Sequence, residues 1–125
     1  MPFAGEYWTE LNLPAENTRA TITKAAAGVG KYNICTGLDV IIAAGATAPA
    51  AINLQVNLID GGSGLTTYLW RGILSLPATA GSTSGIARSD LKIVGSLNTE
   101  MTLEFSSAGG VNTFESVWMM GQVGD

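Results

Sequence analysis

The chain has 125 residues, with 6 Lys or Arg against 10 Asp or Glu for a net charge of −4, and a pI near 4.6. That length holds one domain, and so few cations leave little counterion release to drive binding to phosphate backbones. Histidine is absent and cysteine occurs once, which removes His-based triads, His metal sites and an internal disulfide.

Residues 1–18, MPFAGEYWTELNLPAENT, carry three glutamates, no cation, and the aromatics Phe3, Tyr7 and Trp8. Neither a strand nor a helix period persists here, although Tyr7 to Leu13 is compatible with a short helical turn. Ordering this segment costs more backbone entropy than three aromatics return on burial. The expectation is an extended arm, mobile alone and ordered against another subunit, with Phe3, Tyr7, Trp8, Leu11 and Leu13 as anchors. No basic residue precedes Arg19, which does not fit a secretory signal. A soluble protein made in a reducing cytoplasm is expected.

From Arg19 onward, short strands alternate with Gly, Pro, Ser and Asn turns, the pattern of an all-β sandwich. Ala20–Ala25 is a Thr-rich first strand. The following Ala25–Tyr32 resembles a phosphate loop, but the first glycine is missing and Tyr32 stands where Ser or Thr belongs, so it reads as a turn. Tyr32–Ala43 is a long strand with Ile34, Thr36, Leu38, Val40 and Ile42 on one side. Its Cys35 has no neighbouring cation to activate it and reads as a structural thiol. The tract from Leu38 to Ile52 is broken by Asp39, Gly45, Thr47 and Pro49 and cannot span a bilayer.

Ile52–Asp60 is the clearest strand: Ile52, Leu54, Val56 and Leu58 share one face, and Asn53, Gln55 and Asn57 the other. It ends in Asp60-Gly61-Gly62-Ser63-Gly64, a turn set that lacks the spaced oxygen ligands of an EF-type calcium loop. A calcium site shared among loops stays open. Ser63 has Leu65 where a nucleophile elbow needs glycine. Thr66–Leu76 and Phe114–Met120 are apolar on both faces, so Trp70, Trp118 and Met120 belong to the core or to a subunit seam. Ile86–Val94 follows as one strand, then Met101, Leu103 and Phe105 alternating with Thr102 and Glu104. Glycoside hydrolysis needs two carboxylates across a cleft; Glu100 and Glu104 share a strand face with Glu115 on a possible neighbour, and they read instead as surface charge.

These segments predict seven or eight antiparallel strands over residues 19–125, in an immunoglobulin-like sandwich or a jelly roll; no cysteine pair supports the former. Outward strand positions carry Thr, Ser, Asn and Gln in place of Lys and Glu, the composition of covered surfaces. Self-assembly into a closed ring such as a trimer is expected. No catalytic residue, cofactor or metal ligand stands out. A rival reading is a carbohydrate- or receptor-binding domain, with Tyr68 or Trp70 as platform and Asn53, Gln55 and Asn57 as polar contacts.

The stretches CTGL (Cys35–Leu38), AAGATAPAAINLQVNLIDG (Ala43–Gly61), LSLPATAG (Leu74–Gly81) and NTEMTLEFSSAGGVNTFESVWMMG (Asn98–Gly121) resemble small structural proteins of tailed bacteriophages. The resemblance runs over residues 19–122 and rests on short phrases. It implies a jelly-roll decoration or cement protein of the virion, assembled in the host cytoplasm and seated as a trimer on the outer capsid. The partners implied are further copies of the chain and the major capsid protein, with no nucleic acid and no membrane. The N-terminal arm would then brace neighbouring capsomers, whereas under the rival reading the carbohydrate- or receptor-binding domain would belong to a phage tail.

Overall fold

The computed structural model describes residues 6–125. It contains nine strands: β1 (Tyr7–Asn12), β2 (Thr21–Lys24), β3 (Tyr32–Ala44), β4 (Ile52–Asp60), β5 (Tyr68–Leu76), β6 (Thr83–Arg88), β7 (Ile93–Val94), β8 (Met101–Phe105) and β9 (Thr113–Gly124). They form two antiparallel sheets with the orders β1-β9-β3-β6 and β2-β8-β4-β5, and β7 prolongs the β6 edge along the start of β3. With β7 set aside, the ladders nest: β1 pairs β9, β2 pairs β8, β3 pairs β6, and β4 pairs β5. One long hairpin has been rolled into two sheets, which is a jelly roll.

The inward residues follow the period-2 alternation of each strand. Leu38, Val40 and Ile42 of β3 and Val117 and Met119 of β9 meet Leu54, Val56 and Leu58 of β4 and Met101, Leu103 and Phe105 of β8 in one buried cluster. Two register shifts modify that pattern. On β3 the shift between Cys35 and Gly37 leaves Thr36 as the extra residue. Cys35 therefore turns inward beside Leu38, and Ile34 leaves the inter-sheet cluster, so the five-residue apolar face expected on this strand is split by a bulge. On β5 the shift opposite Leu58 and Ile59 leaves Leu69 extra. It points Tyr68 to the same outer side as Arg71 while Trp70 stays inside.

Within the N-terminal segment, residues 7–12 form an extended strand of the first sheet and not a helical turn or a detached arm. They pair with β9 along their whole length, and the Val123 N–H donates to the Glu6 carbonyl at 2.9 Å. Trp8 is 8% exposed and belongs to the core cluster. Its indole lies across Gly121, where a Cβ would collide with the ring and with the Ile34 carbonyl oxygen. The chain then stays tied to its own body: the Asn112 N–H donates to Glu16 Oε2 at 2.7 Å, and the Asn17 N–H to the Thr113 carbonyl at 2.9 Å. Ladder hydrogen bonds together with the buried indole offset the ordering cost that aromatic burial alone does not. The tract expected as one strand over Ile86–Val94 is likewise divided into β6 and β7, with Asp90 in the left-handed region (φ 57°) between them.

Candidate functional site

Register places the outward residues of the first sheet in rows: Tyr7, Gln122 and Ile34; Thr9, Met120 and Gly37; Leu11, Trp118, Asp39 and Ala87; Ser116, Ile41 and Gly85; and Phe114, Ala43 and Thr83. Asp39 is the one charge on this face. Large side chains stand along β1 and β9, with Tyr7 80% and Leu11 58% exposed and Met120 and Phe114 also open. Smaller residues, Gly37, Ala43, Gly85 and Ala87, stand on β3 and β6, where Met120 leans over Gly37 and Ile41 over Gly85.

The outer face of the second sheet is polar and knitted together by side chains. Thr23 and Thr102 share a hydrogen bond of 2.9 Å, and Ser75 donates to Asn53 Oδ1 at 2.6 Å. Arg71 donates through Nη2 to Gln55 Oε1 at 2.7 Å and through Nε to Asn57 Oδ1 at 3.3 Å. Its guanidinium lies 4.4 Å from the centre of the Tyr68 ring, a cation–π stack that the β5 bulge makes possible. Gln55, Arg71, Gly72 and Ile73 line a shallow groove of about 540 Å³.

Two glutamates that read as surface charge are buried. Glu104 is 3% exposed because the glycine-rich turn after β4 folds over it. Ser63 Oγ donates to it at 2.5 Å, the Gly64 N–H at 3.0 Å and Thr21 Oγ1 at 2.8 Å, with Arg19 at 3.7 Å. Burial pushes this carboxyl up, but the hydrogen bonds from Ser63, Thr21 and Gly64 and the Arg19 charge outweigh it and hold the pKa below its ordinary value. Glu115 is 2% exposed on the inner side of β9. Burial lifts its pKa to about 7, against the opposing pull of backbone hydrogen bonds with Ala20 and Gly109 and of the Arg19 charge. Its Oε1 accepts from the Ala20 N–H at 2.9 Å while Oε2 has no partner. The fold thus separates Glu104 and Glu115 onto opposite sheets, one facing out and one in.

The other candidates fall as follows. Tyr7, Leu11 and Leu13 are exposed and Trp8 is core; Phe3 lies outside the described residues. Trp70 packs inward against the core cluster, its ring across Gly72 beside Ile86, so it is no platform for a ligand. Trp118 and Met120 share the outer face of the first sheet. Cys35 is fully buried, donates to the Gly37 carbonyl at 3.4 Å, and is pushed up to about 11 by burial, the Gly37 hydrogen bond opposing. Both carboxylate oxygens of Asp60 accept from Ser96, at 3.0 and 2.5 Å, and among the described residues no group of three His, Cys, Asp or Glu could hold a metal ion. Sequence reasoning did not single out Arg71 or Ile73, since their neighbours come from pairing across β4 and β5.

No protein-family model and no curated protein matches the chain. Among solved structures, the chain is similar to the arabinose-bound MgGH51 α-L-arabinofuranosidase, with a TM-score of 0.47 and 10% identity over 93% of this chain and 23% of that one. It is similar to the nora virus structure, with a TM-score of 0.33 and 14% identity over 94% of this chain and 55% of that one. For infectious bursal disease virus, Gx strain, the TM-score is 0.30 with 14% identity, over 96% of this chain and 31% of that one. The chain spans less than two thirds of the length of each.

Proposed function

We propose that the chain is a non-enzymatic structural protein of a virion, a capsid decoration protein of a tailed phage that assembles as a homotrimer on the outer shell. The observation that carries this reading is the apolar outer face of the β1-β9-β3-β6 sheet. The 12 residues of β9, 13 of β3 and six each of β1 and β6 give that face about 600 Å². That is the upper end of the patches found on monomers, about 300–600 Å², and approaches the roughly 800 Å² that each partner buries in a stable complex. Large residues along β1 and β9 beside smaller ones on β6 suit a cyclic arrangement in which the Trp118 and Met120 side of one copy lies on the Gly85 and Ala87 side of the next. Docking on the shell is supported by the phage-like stretches, and many weak contacts on a symmetric lattice add through effective concentration.

The test combines Leu11→Glu with Met120→Glu, both at exposed positions. Light scattering of the parent chain should give three times 12.9 kDa, and the double variant should be a monomer of unchanged melting temperature that no longer saturates capsids. A parent chain that is monomeric at high concentration, or a charged variant that still coats capsids, overturns the reading.

A further inference from the structure

We propose that the outer face of β4 and β5 is a binding site for a carboxylate-bearing sugar, with Arg71 as its anion anchor. This inference does not depend on the capsid reading. The decisive feature is what holds Arg71. Its Nε and Nη2 are fixed by neutral amide oxygens, Asn57 Oδ1 and Gln55 Oε1, and its plane is stacked on Tyr68. Among the described residues the ion pair is Arg19 with Glu104, so the Arg71 charge has no carboxylate against it. An immobilised guanidinium with its outer N–H edge free and its charge uncompensated is built to take a carboxylate through two parallel hydrogen bonds.

The neighbours specify the rest of the ligand. Because the Gln55 oxygen accepts from Arg71 and the Asn53 oxygen accepts from Ser75, the NH₂ groups of these two exposed amides remain as donors, while Asn57 is buried and serves to hold Arg71. Asn53 and Gln55 stand two residues apart on β4, about 7 Å. The face therefore offers a pair of donors beside one cation, matching a ligand rich in acceptor oxygens. Ile73, 64% exposed and lining the groove, presents an apolar surface to the C–H side of a ring. The groove, at about 540 Å³, lies within the range of small-molecule sites and is open along the β5 edge, so a longer saccharide can run out of it. An acidic peptide shares the carboxylate but not the hydroxyls that this donor pair would meet.

The experiment titrates ¹⁵N-labelled full-length chain with sialyllactose, a glucuronate oligosaccharide, lactose and a Glu-rich peptide. Saturable shifts confined to β4 and β5 amides are expected for at least one of the two acidic saccharides, with affinity at least tenfold above that for lactose or the peptide. Arg71→Gln should abolish the shifts, and Arg71→Lys, which keeps the charge and loses the fork, should weaken binding several-fold. Ile73→Glu puts a negative charge in the groove at an exposed position; it should abolish binding with melting unchanged, which keeps the test decisive if Arg71→Gln does not fold. Lactose or the peptide binding as tightly, undiminished binding to Arg71→Gln or Ile73→Glu, or no saturation by either acidic saccharide overturns the proposal.

Discussion

Two buried glutamates respond to pH in opposite senses. Glu104 has its pKa held below the ordinary 4.5 by the Ser63, Thr21 and Gly64 hydrogen bonds and Arg19, which outweigh its burial, so it adds stability above about pH 4.5 that disappears as the pH falls. Glu115 is raised from 4.5 to about 7. Between those values the unfolded chain has released this proton while the folded chain still holds it, so stability is greatest below 4.5 and falls as the pH rises to 7. The loss is on the order of 3 kcal/mol. Glu115→Gln mimics the protonated acid, keeps an acceptor for the Ala20 N–H, and should melt several degrees above the parent at pH 8 but close to it at pH 5. Equal melting of the two proteins at pH 8 would show that Glu115 ionises without cost. Gly121 is a second single-residue constraint. Gly121→Ala places a methyl against both the Trp8 ring and the Ile34 carbonyl, and urea unfolding should register a loss of about 3 kcal/mol or more, because backbone cannot yield as a side chain does.

At the scale of elements, β1 is where local reasoning and tertiary structure part. Its sequence, YWTELN, alternates weakly, and Trp8 alone marks the inward side. What makes it a strand is the free edge of β9, which supplies a six-residue ladder and the gap over Gly121 that the indole fills. Removing residues 1–18 should therefore expose the β9 edge and open the core, and the truncated chain should lose cooperative melting or aggregate. A truncation at residue 18 that melts like the full chain would return this segment to the status of a detachable arm. By contrast the bounds of β4 were readable, because Ile52–Leu58 alternates without interruption and the strand ends at a glycine-rich turn.

For the molecule as a whole, the two sheets present unlike surfaces. The first offers large apolar residues beside small ones with Asp39 as the one charge; the second offers amides, hydroxyls and a pre-oriented arginine. Self-association through the first face should follow hydrophobic burial and not ion pairing. Its midpoint concentration should change by less than about threefold between 50 and 500 mM sodium chloride and should fall in sodium sulfate. Sedimentation showing dissociation in moderate salt would point to a charged contact elsewhere on the chain. With the first face covered, the second is left turned outward, where the Arg71 groove is open to solvent.

Composition and period-2 alternation were enough to establish an all-β sandwich, the strands from β2 onward to within a few residues except where one expected strand divides into β6 and β7, and the lack of any histidine-based chemistry, because those properties reside in residue type and local spacing. The nesting of β1 with β9 and β2 with β8, the inward turn of Cys35, the covering of Glu104 by a glycine turn and the meeting of Arg71 with Gln55, Asn57 and Tyr68 were decided by tertiary structure. Each depends on which strand lies beside which and on one extra residue in a bulge. A one-residue shift reverses every side chain beyond it, and that information is carried by packing between distant segments, not by the segment itself.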